Sequence, residues 1–339
     1  MNSKKEYLHS LNWFRGLAIL FVVMTHTPLN GLLEYRAGVY LAAYFQNGTA
    51  FFVFIAGYLF WHQIHKYNYF TFIKNKINNV VSPYLLILTI TLLSVYILSK
   101  FGVNSIDYSR FDYQVSFENL LSNNGFIWHY LKGGAINYPL WFIPMITIFF
   151  ITSPLTVFIS RTRYFGFVLV ITLIYTSLSE RGDWATSQYA HYLGVFLLGI
   201  FCKKNQKVIF DKALLFLFIS LPLSLLFLYW KVNYDESMFN YSALEKLASV
   251  LFYISLFMFL EKMGYKFKAL DVLAKYSFGI FFIHYYFLIL FTLLFSKLGL
   301  EDSLHEFVFT FTLSVLLATV ASYLVKLASG KYSKNVLGV

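Results

Sequence analysis

Long apolar runs separated by short polar intervals set the pattern of this chain. Ten runs approach the roughly 20 residues that a helix needs to cross hydrocarbon, at about 12–29, 38–60, 82–99, 140–159, 164–179, 189–202, 212–230, 243–261, 276–296 and 306–326. The sixth is the shortest. Polar interruptions inside the runs are few: His26 in the first, Gln46-Asn47-Gly48-Thr49 in the second, and His284 about eight residues into the ninth. The pattern predicts an all-α polytopic membrane bundle with about ten transmembrane helices. No repeat, linker or low-complexity tract divides it, so residues 1–339 read as one integral-membrane domain with its core at about 10–328. Residues 1–29 read as a first span rather than a cleaved signal, because no small-residue cleavage pattern follows and Thr25, His26 and Thr27 interrupt the apolar core.

Composition agrees with a membrane solvent. Hydrophobic residues make up 58% and charged ones only 13%, against about 25% charged in soluble domains. The net charge of +11 invites a nucleic-acid reading, but the basic residues are spread over several short segments instead of one face. With the N-terminus cytoplasmic, 19 of the 27 Lys and Arg fall in inner segments and 12 of the 16 acids in outer ones, as the positive-inside rule requires. Both termini are therefore expected in the cytoplasm, with no nucleic-acid partner. One inner segment, about 61–81, carries His62, His65, Lys66, Lys74 and Lys76 before Pro83, and is expected to meet anionic lipid headgroups. The longest outer piece, about 100–139, mixes aromatics such as Tyr108, Tyr113 and Trp128 with polar groups, and is expected over the outer mouth of a cavity or packed on the bundle. Cys202 is alone, which excludes an intrachain disulfide and a cysteine metal cluster.

Polar groups within a membrane usually face the bundle interior and often mark a site. Arg15 and His26 are eleven residues apart, which on a helix is about 1100°, within about 20° of three turns, with a rise of about 16 Å. They therefore share a face, the cation near the cytoplasmic interface and the imidazole deeper. His284 is expected at a similar level. Singly, Arg15 reads as a topogenic charge and His26 as a packing contact; together they suit a phosphate-bearing donor whose arm reaches a base, the shape of coenzyme A.

The first span, Leu11-Asn12-Trp13-Phe14-Arg15-Gly16 through His26, resembles the opening Arg-x10-His helix of the acyltransferase family 3 of bacterial membrane proteins. Phe51-Phe52-Val53-Phe54-Ile55-Ala56-Gly57-Tyr58, Pro139-Leu140-Trp141-Phe142, Phe196-Leu197-Leu198-Gly199 and Gly279-Ile280-Phe281-Phe282-Ile283-His284 resemble later landmarks in the family's order. The resemblance implies an O-acyltransferase of the bacterial inner membrane that moves an acyl group from cytoplasmic acyl-CoA to a hydroxyl of an envelope saccharide, such as O-antigen, capsule, exopolysaccharide or a lipid-linked sugar. Acetyl-CoA is the expected donor, with succinyl as the other candidate group, and no metal is expected. Where the family carries Arg-x-x-Arg before its third span, this chain reads Lys74-Asn75-Lys76-Ile77-Asn78-Asn79, so Lys76, helped by Lys74, would stand in as a point charge without the bidentate fork.

An imidazole suits proton transfer near neutral pH. The expected assignments are His26 as base or acyl carrier, His284 beside it, and Arg15, Lys74 and Lys76 on the donor's phosphates. Asn47, Thr49 and Trp141 would support the site, although Asn47 and Thr49 also fit plain interhelical hydrogen bonding. The rival class is a polysaccharide exporter or flippase, for which Pro144, Pro154 and Pro222 leave room for broken helices. A lipid-sugar glycosyltransferase fits less well, since the first outer loop offers only Glu34 beside Arg36.

Overall fold

The computed structural model describes residues 9–101, 105–108, 113–116, 138–234 and 240–339. Its helices are α1 (His9–His26), α2 (Asn30–Leu33), α3 (Arg36–Phe45), α4 (Gly48–His62), α5 (Tyr69–Lys76), α6 (Ser82–Lys100), α7 (Phe142–Ile151), α8 (Ser153–Arg161), α9 (Phe165–Leu178), α10 (Ala185–Lys204), α11 (Gln206–Asp211), α12 (Ala213–Asn233), α13 (Tyr241–Lys262), α14 (Lys268–Lys297), α15 (Leu304–Ser329) and α16 (Ser333–Leu337). A small antiparallel hairpin, Ser105–Tyr108 with Tyr113–Ser116, lies in the expected long outer piece. Trp128, His129 and Tyr130 of that piece lie outside the described residues.

Contacts between helix ends give the bundle two faces. At the base, Ser10 at the start of α1 donates to Glu261 at the end of α13 (3.1 Å), Lys204 at the end of α10 donates to the Ser160 carbonyl of α8 (2.8 Å), and the same ammonium lies over Trp61 of α4 and Phe165 of α9. At the rim, Asn30 meets Asp302 (2.9 Å), and Asn240 meets the Ser179 carbonyl (2.8 Å). Successive helical segments thus run alternately up and down.

Six of them are long and apolar enough to cross a membrane: Arg36–His62, Tyr69–Ser94, Ala213–Asn233, Tyr241–Lys262, Lys268–Lys297 and Leu304–Leu337. A seventh is reached if α7 and α8, bent by 56° at Thr152, count as one crossing. The expected count of ten is therefore not confirmed. Helix α9 has 14 residues, a rise of about 21 Å against about 30 Å of hydrocarbon. Helices α1 and α10 are less apolar because they are interior: 10 of 18 and 11 of 20 residues are buried, against 4 of 21 in α12. Helix α12 shows the membrane pattern, burying Ala213, Ser220, Ser224 and Leu228 while Phe218 and Leu225 face outward.

Residues 61–81 hold α5 and the turn that leads into α6. The Asn68 side chain caps α5 by accepting from the Thr71 N–H (3.1 Å), and a π-helical turn, Ile77–Val81, carries α5 straight into α6. Lys74 and Lys76 are thereby part of a helix continuous with α6, with Lys74 on its exposed side.

Two of the sequence landmarks meet at a close crossing of α4 and α10. A Cβ on Gly57 of α4 would stand 2.0 Å from the Phe196 carbonyl of α10, and one on Gly199 would stand 2.2 Å from the Phe54 carbonyl. Neither position accepts any side chain, so glycine there lets two backbones touch, the small-residue contact that drives helix association in lipid.

Candidate active site

Helix α1 ends at His26, a few residues short of the expected end of the first run near residue 29. His26 Nδ1 lies 2.6 Å from the Val22 carbonyl one turn back. A carbonyl only accepts, so the neutral ring carries its proton on Nδ1 and presents Nε2 as a lone pair. His284 of α14 is held the same way, Nδ1 to the Ile280 carbonyl at 2.9 Å, and its Nε2 is fully buried with no hydrogen-bond partner among the described residues. The two rings stand 5.7 Å apart at 65°, with Tyr285 6.2 Å from His26.

The junction of α3 and α4 fixes this end of α1. Thr25 Oγ1 donates to the Phe45 carbonyl (2.6 Å), and Gly48 lies so close to Val22 that a Cβ would meet its backbone nitrogen at 2.8 Å. Beside Gly48, Asn47 is fully buried and donates to Glu245 Oε1 of α13 (2.7 Å). Ser249 donates to the same oxygen (2.6 Å), and Lys231 of α12 stands 3.8 Å from Glu245 Oε2 while donating to the Ala43 carbonyl (2.6 Å). Four elements are therefore tied together behind the histidine.

His26 and Thr49 line a rim cavity of about 420 Å³, whose wall includes Trp141, Glu180, Arg181, His191 and Lys246. The Arg181 guanidinium lies 4.5 Å over the Trp141 ring. His191 is buried, with Nδ1 3.2 Å from Ser179 Oγ. At the base a second cavity, about 300 Å³, is lined by Asn12, Arg15, Asp271 and Lys275. Arg15 Nε donates to Ser277 Oγ (2.7 Å) and Nη2 to the Ala274 carbonyl, so Arg15 and His26 both turn toward α14. Lys76 packs elsewhere, its ammonium 5.3 Å over Phe72 and 4.9 Å over Phe150, and Lys74 is exposed. The structure thus brings His26, His284, Thr49 and Trp141 together, places Asn47 behind them, and puts Arg15 at the opposite end.

A family model described as an acyltransferase domain matches residues 8–325. The chain belongs to this acyltransferase family. No curated protein and no solved structure matches it. A match of this extent leaves the exporter reading without support and makes the chain a multi-pass membrane acyltransferase, with an acyl donor and an acceptor as its substrates.

Sequence reasoning missed four residues in or behind the wall of the rim cavity. Glu245 and Lys246 open the α13 run, and an acid inside an apolar run is itself a signal. Arg181 and His191 sit in the polar interval before α10 and at its start, where neither spacing nor periodicity distinguishes them.

Proposed function

We propose that this acyltransferase moves an acyl group, acetyl in the first instance, from cytoplasmic acyl-CoA to a hydroxyl of an envelope or lipid-linked saccharide. The observation that carries the reading is His26 in the wall of a polar cavity, its Nε2 lone pair oriented by the Val22 carbonyl and its ring packed against that of His284. In direct transfer, His26 Nε2 takes the proton of the acceptor hydroxyl as that oxygen bonds to the thioester carbonyl carbon. The C–S bond breaks, and the imidazolium returns its proton to the leaving thiolate. In the two-step form Nε2 itself bonds to the carbonyl carbon as the C–S bond breaks and the thiolate leaves; the acceptor hydroxyl oxygen then bonds to that carbon, the C–N bond breaks, and the hydroxyl proton passes to the thiolate. In this reading the Thr49 hydroxyl stabilises the developing oxyanion and the His284 ring packs against that of His26 and holds it, with Asn47 and Trp141 supporting that wall.

Arg15 and Lys275 at the base, with Lys76 on the neighbouring α5 side, are the cations proposed for the donor's phosphates. This reading sets the base in the cytoplasm of a bacterial inner membrane, with both termini on that side. The test incubates membranes with radiolabelled acetyl-CoA and fractionates the products. Label in a saccharide, lost in His26→Ala, is expected; label that stays in the donor, or moves equally well without His26, overturns it. Mass spectrometry of envelope polysaccharides from cells with and without the chain identifies the acceptor.

A further inference from the structure

We infer that the base cavity holds the nucleoside end of the acyl donor, with Asp271 and Asn12 reading the amino edge of its adenine. The inference rests on the proposed acyl-CoA donor and adds the residues that tell this donor from a simpler thioester.

Asp271 carries the first observation. It lies in the opening turn of α14, where an acid commonly serves the helix dipole, yet its Oδ1 is buried with no hydrogen-bond partner among the described residues. No backbone N–H of its own helix holds that oxygen. Arg15, in the wall of the same cavity, does not hold it either, because Nε turns to Ser277 Oγ and Nη2 to the Ala274 carbonyl. A buried acceptor left unpaired is costly, and a ligand that brings a donor to it recovers that cost on binding.

Position along the two helices decides which part of the donor arrives there. Helices α1 and α14 leave the base side by side: a Cβ on Gly16 would stand 2.3 Å from the Leu270 carbonyl, Arg15 meets Ala274 and Ser277, and His26 meets His284. Asp271 precedes Ala274 by three residues, and Asn12 precedes Arg15 by three. Both therefore lie about 4.5 Å further from His26 along their helices than the Arg15 contact does. All four line one cavity of about 300 Å³. A donor with its thioester toward His26 and its pyrophosphate at Arg15 thus turns its nucleoside toward Asn12 and Asp271. A carboxylate only accepts hydrogen bonds, and it repels phosphate. In coenzyme A the free ribose hydroxyl stands beside the 3′-phosphate, whereas the adenine amine offers two N–H donors far from any anion. The Asn12 amide has both a donor and an acceptor, the complement of that amine and the ring nitrogen next to it.

The experiment measures binding, so it needs no acceptor. The full chain in nanodiscs is titrated calorimetrically with three ligands: coenzyme A, its etheno derivative, in which the adenine amine and the neighbouring ring nitrogen are closed into a further ring, and 4′-phosphopantetheine, which lacks the nucleotide. Coenzyme A is expected to bind at least about tenfold more tightly than either. In Asp271→Ala its affinity should fall about tenfold, to that of the etheno derivative, whose own affinity stays unchanged. Asn12→Ala should lose part of the same preference. Etheno-coenzyme A binding the wild-type chain as tightly as coenzyme A overturns the adenine contact. Phosphopantetheine doing so removes the nucleoside from the base cavity altogether. Both of these outcomes leave acyl transfer from acyl-CoA standing. A loss in Asp271→Ala that falls equally on coenzyme A and phosphopantetheine marks a structural role for Asp271 and also overturns the inference. No binding of coenzyme A at all, together with no label moved from acetyl-CoA, overturns the donor reading itself and this inference with it. If Asp271→Ala does not fold, Asp271→Asn, which keeps the shape and loses the charge, and the wild-type comparison of the three ligands carry the same decision.

Discussion

At the scale of single residues, His26 and Arg15 occupy the same helix face but stand in different surroundings, so their loss should read differently. His26 belongs to the reacting end. His26→Ala and His26→Gln are expected to cut transfer by roughly 10²- to 10⁴-fold, the usual worth of a general base, with acyl-CoA binding largely kept. A packing contact in a membrane averages only ~0.6 kcal/mol, so a well-folded variant transferring at near wild-type rate would remove His26 from the chemistry and promote His284, whose buried Nε2 has no hydrogen-bond partner among the described residues. Arg15→Ala should instead raise the KM for acyl-CoA more than it lowers kcat, because a phosphate contact made equally in ground and transition states acts on binding. Lys76→Ala should do the same more weakly. Lys74 is exposed, and Lys74→Ala alone should leave the donor's KM unchanged. A large effect of Lys74 with none from Arg15 would move the donor site to the α5 side.

Elements decide what those residues can do, and two interhelical contacts can be tested directly. The crossing of α4 and α10 leaves no room at Gly57, so Gly57→Ala should destabilise the bundle by about 1–3 kcal/mol, the cost of overpacking. Gly166 has open space around its Cβ direction within α9, and Gly166→Ala should be neutral or slightly stabilising by helix propensity. Thermal unfolding in detergent separates the two; equal melting temperatures would show that α4 and α10 part more easily than their backbone contact implies. Behind the site, Glu245→Ala strips Asn47 and Lys231 of their shared partner and should cost about 3–5 kcal/mol. The double change Lys231→Met, Glu245→Gln should recover most of that, since the amide oxygen still accepts from Asn47 and no buried charge is left over. Long apolar runs made these helices legible in the sequence, and the eleven-residue spacing placed Arg15 and His26 on one face. They gave no sign of α5 joining α6, because two lysines inside an apolar helix read as a surface segment, and none of Arg181, which reaches the cavity through a polar interval rather than a helical repeat. Glu245 was visible as an acid in an apolar run, but its partner Asn47 lies 198 residues away in sequence, a separation no local pattern encodes.

For the whole molecule, the two cavities give a sharper test than the number of crossings. One opens beside Arg15 at the base and the other beside His26 at the rim, about 16 Å apart along α1. Between them Ala18, Ile19 and Val23 of α1 are fully buried, and in the proposed reading the donor threads its acyl arm along the seam of α1 and α14. A donor site and an acceptor site on opposite faces would let a cytoplasmic thioester serve an acceptor that never enters the cytoplasm. The chain's cysteine content suits the measurement, because Cys202 is its single cysteine and is buried in the core. In a Cys202→Ala background, Lys275→Cys places a thiol in the base cavity and Ser242→Cys one in the rim cavity. A membrane-impermeant maleimide applied to intact cells should label Ser242→Cys and spare Lys275→Cys, with the pattern reversed in inside-out vesicles. Acceptor added outside right-side-out vesicles should then be acylated only when acetyl-CoA is sealed within. Labelling of both thiols from one side would mean that the cavities share a face of the membrane, and transfer along the α1–α14 seam would have to be abandoned even if His26 proved essential.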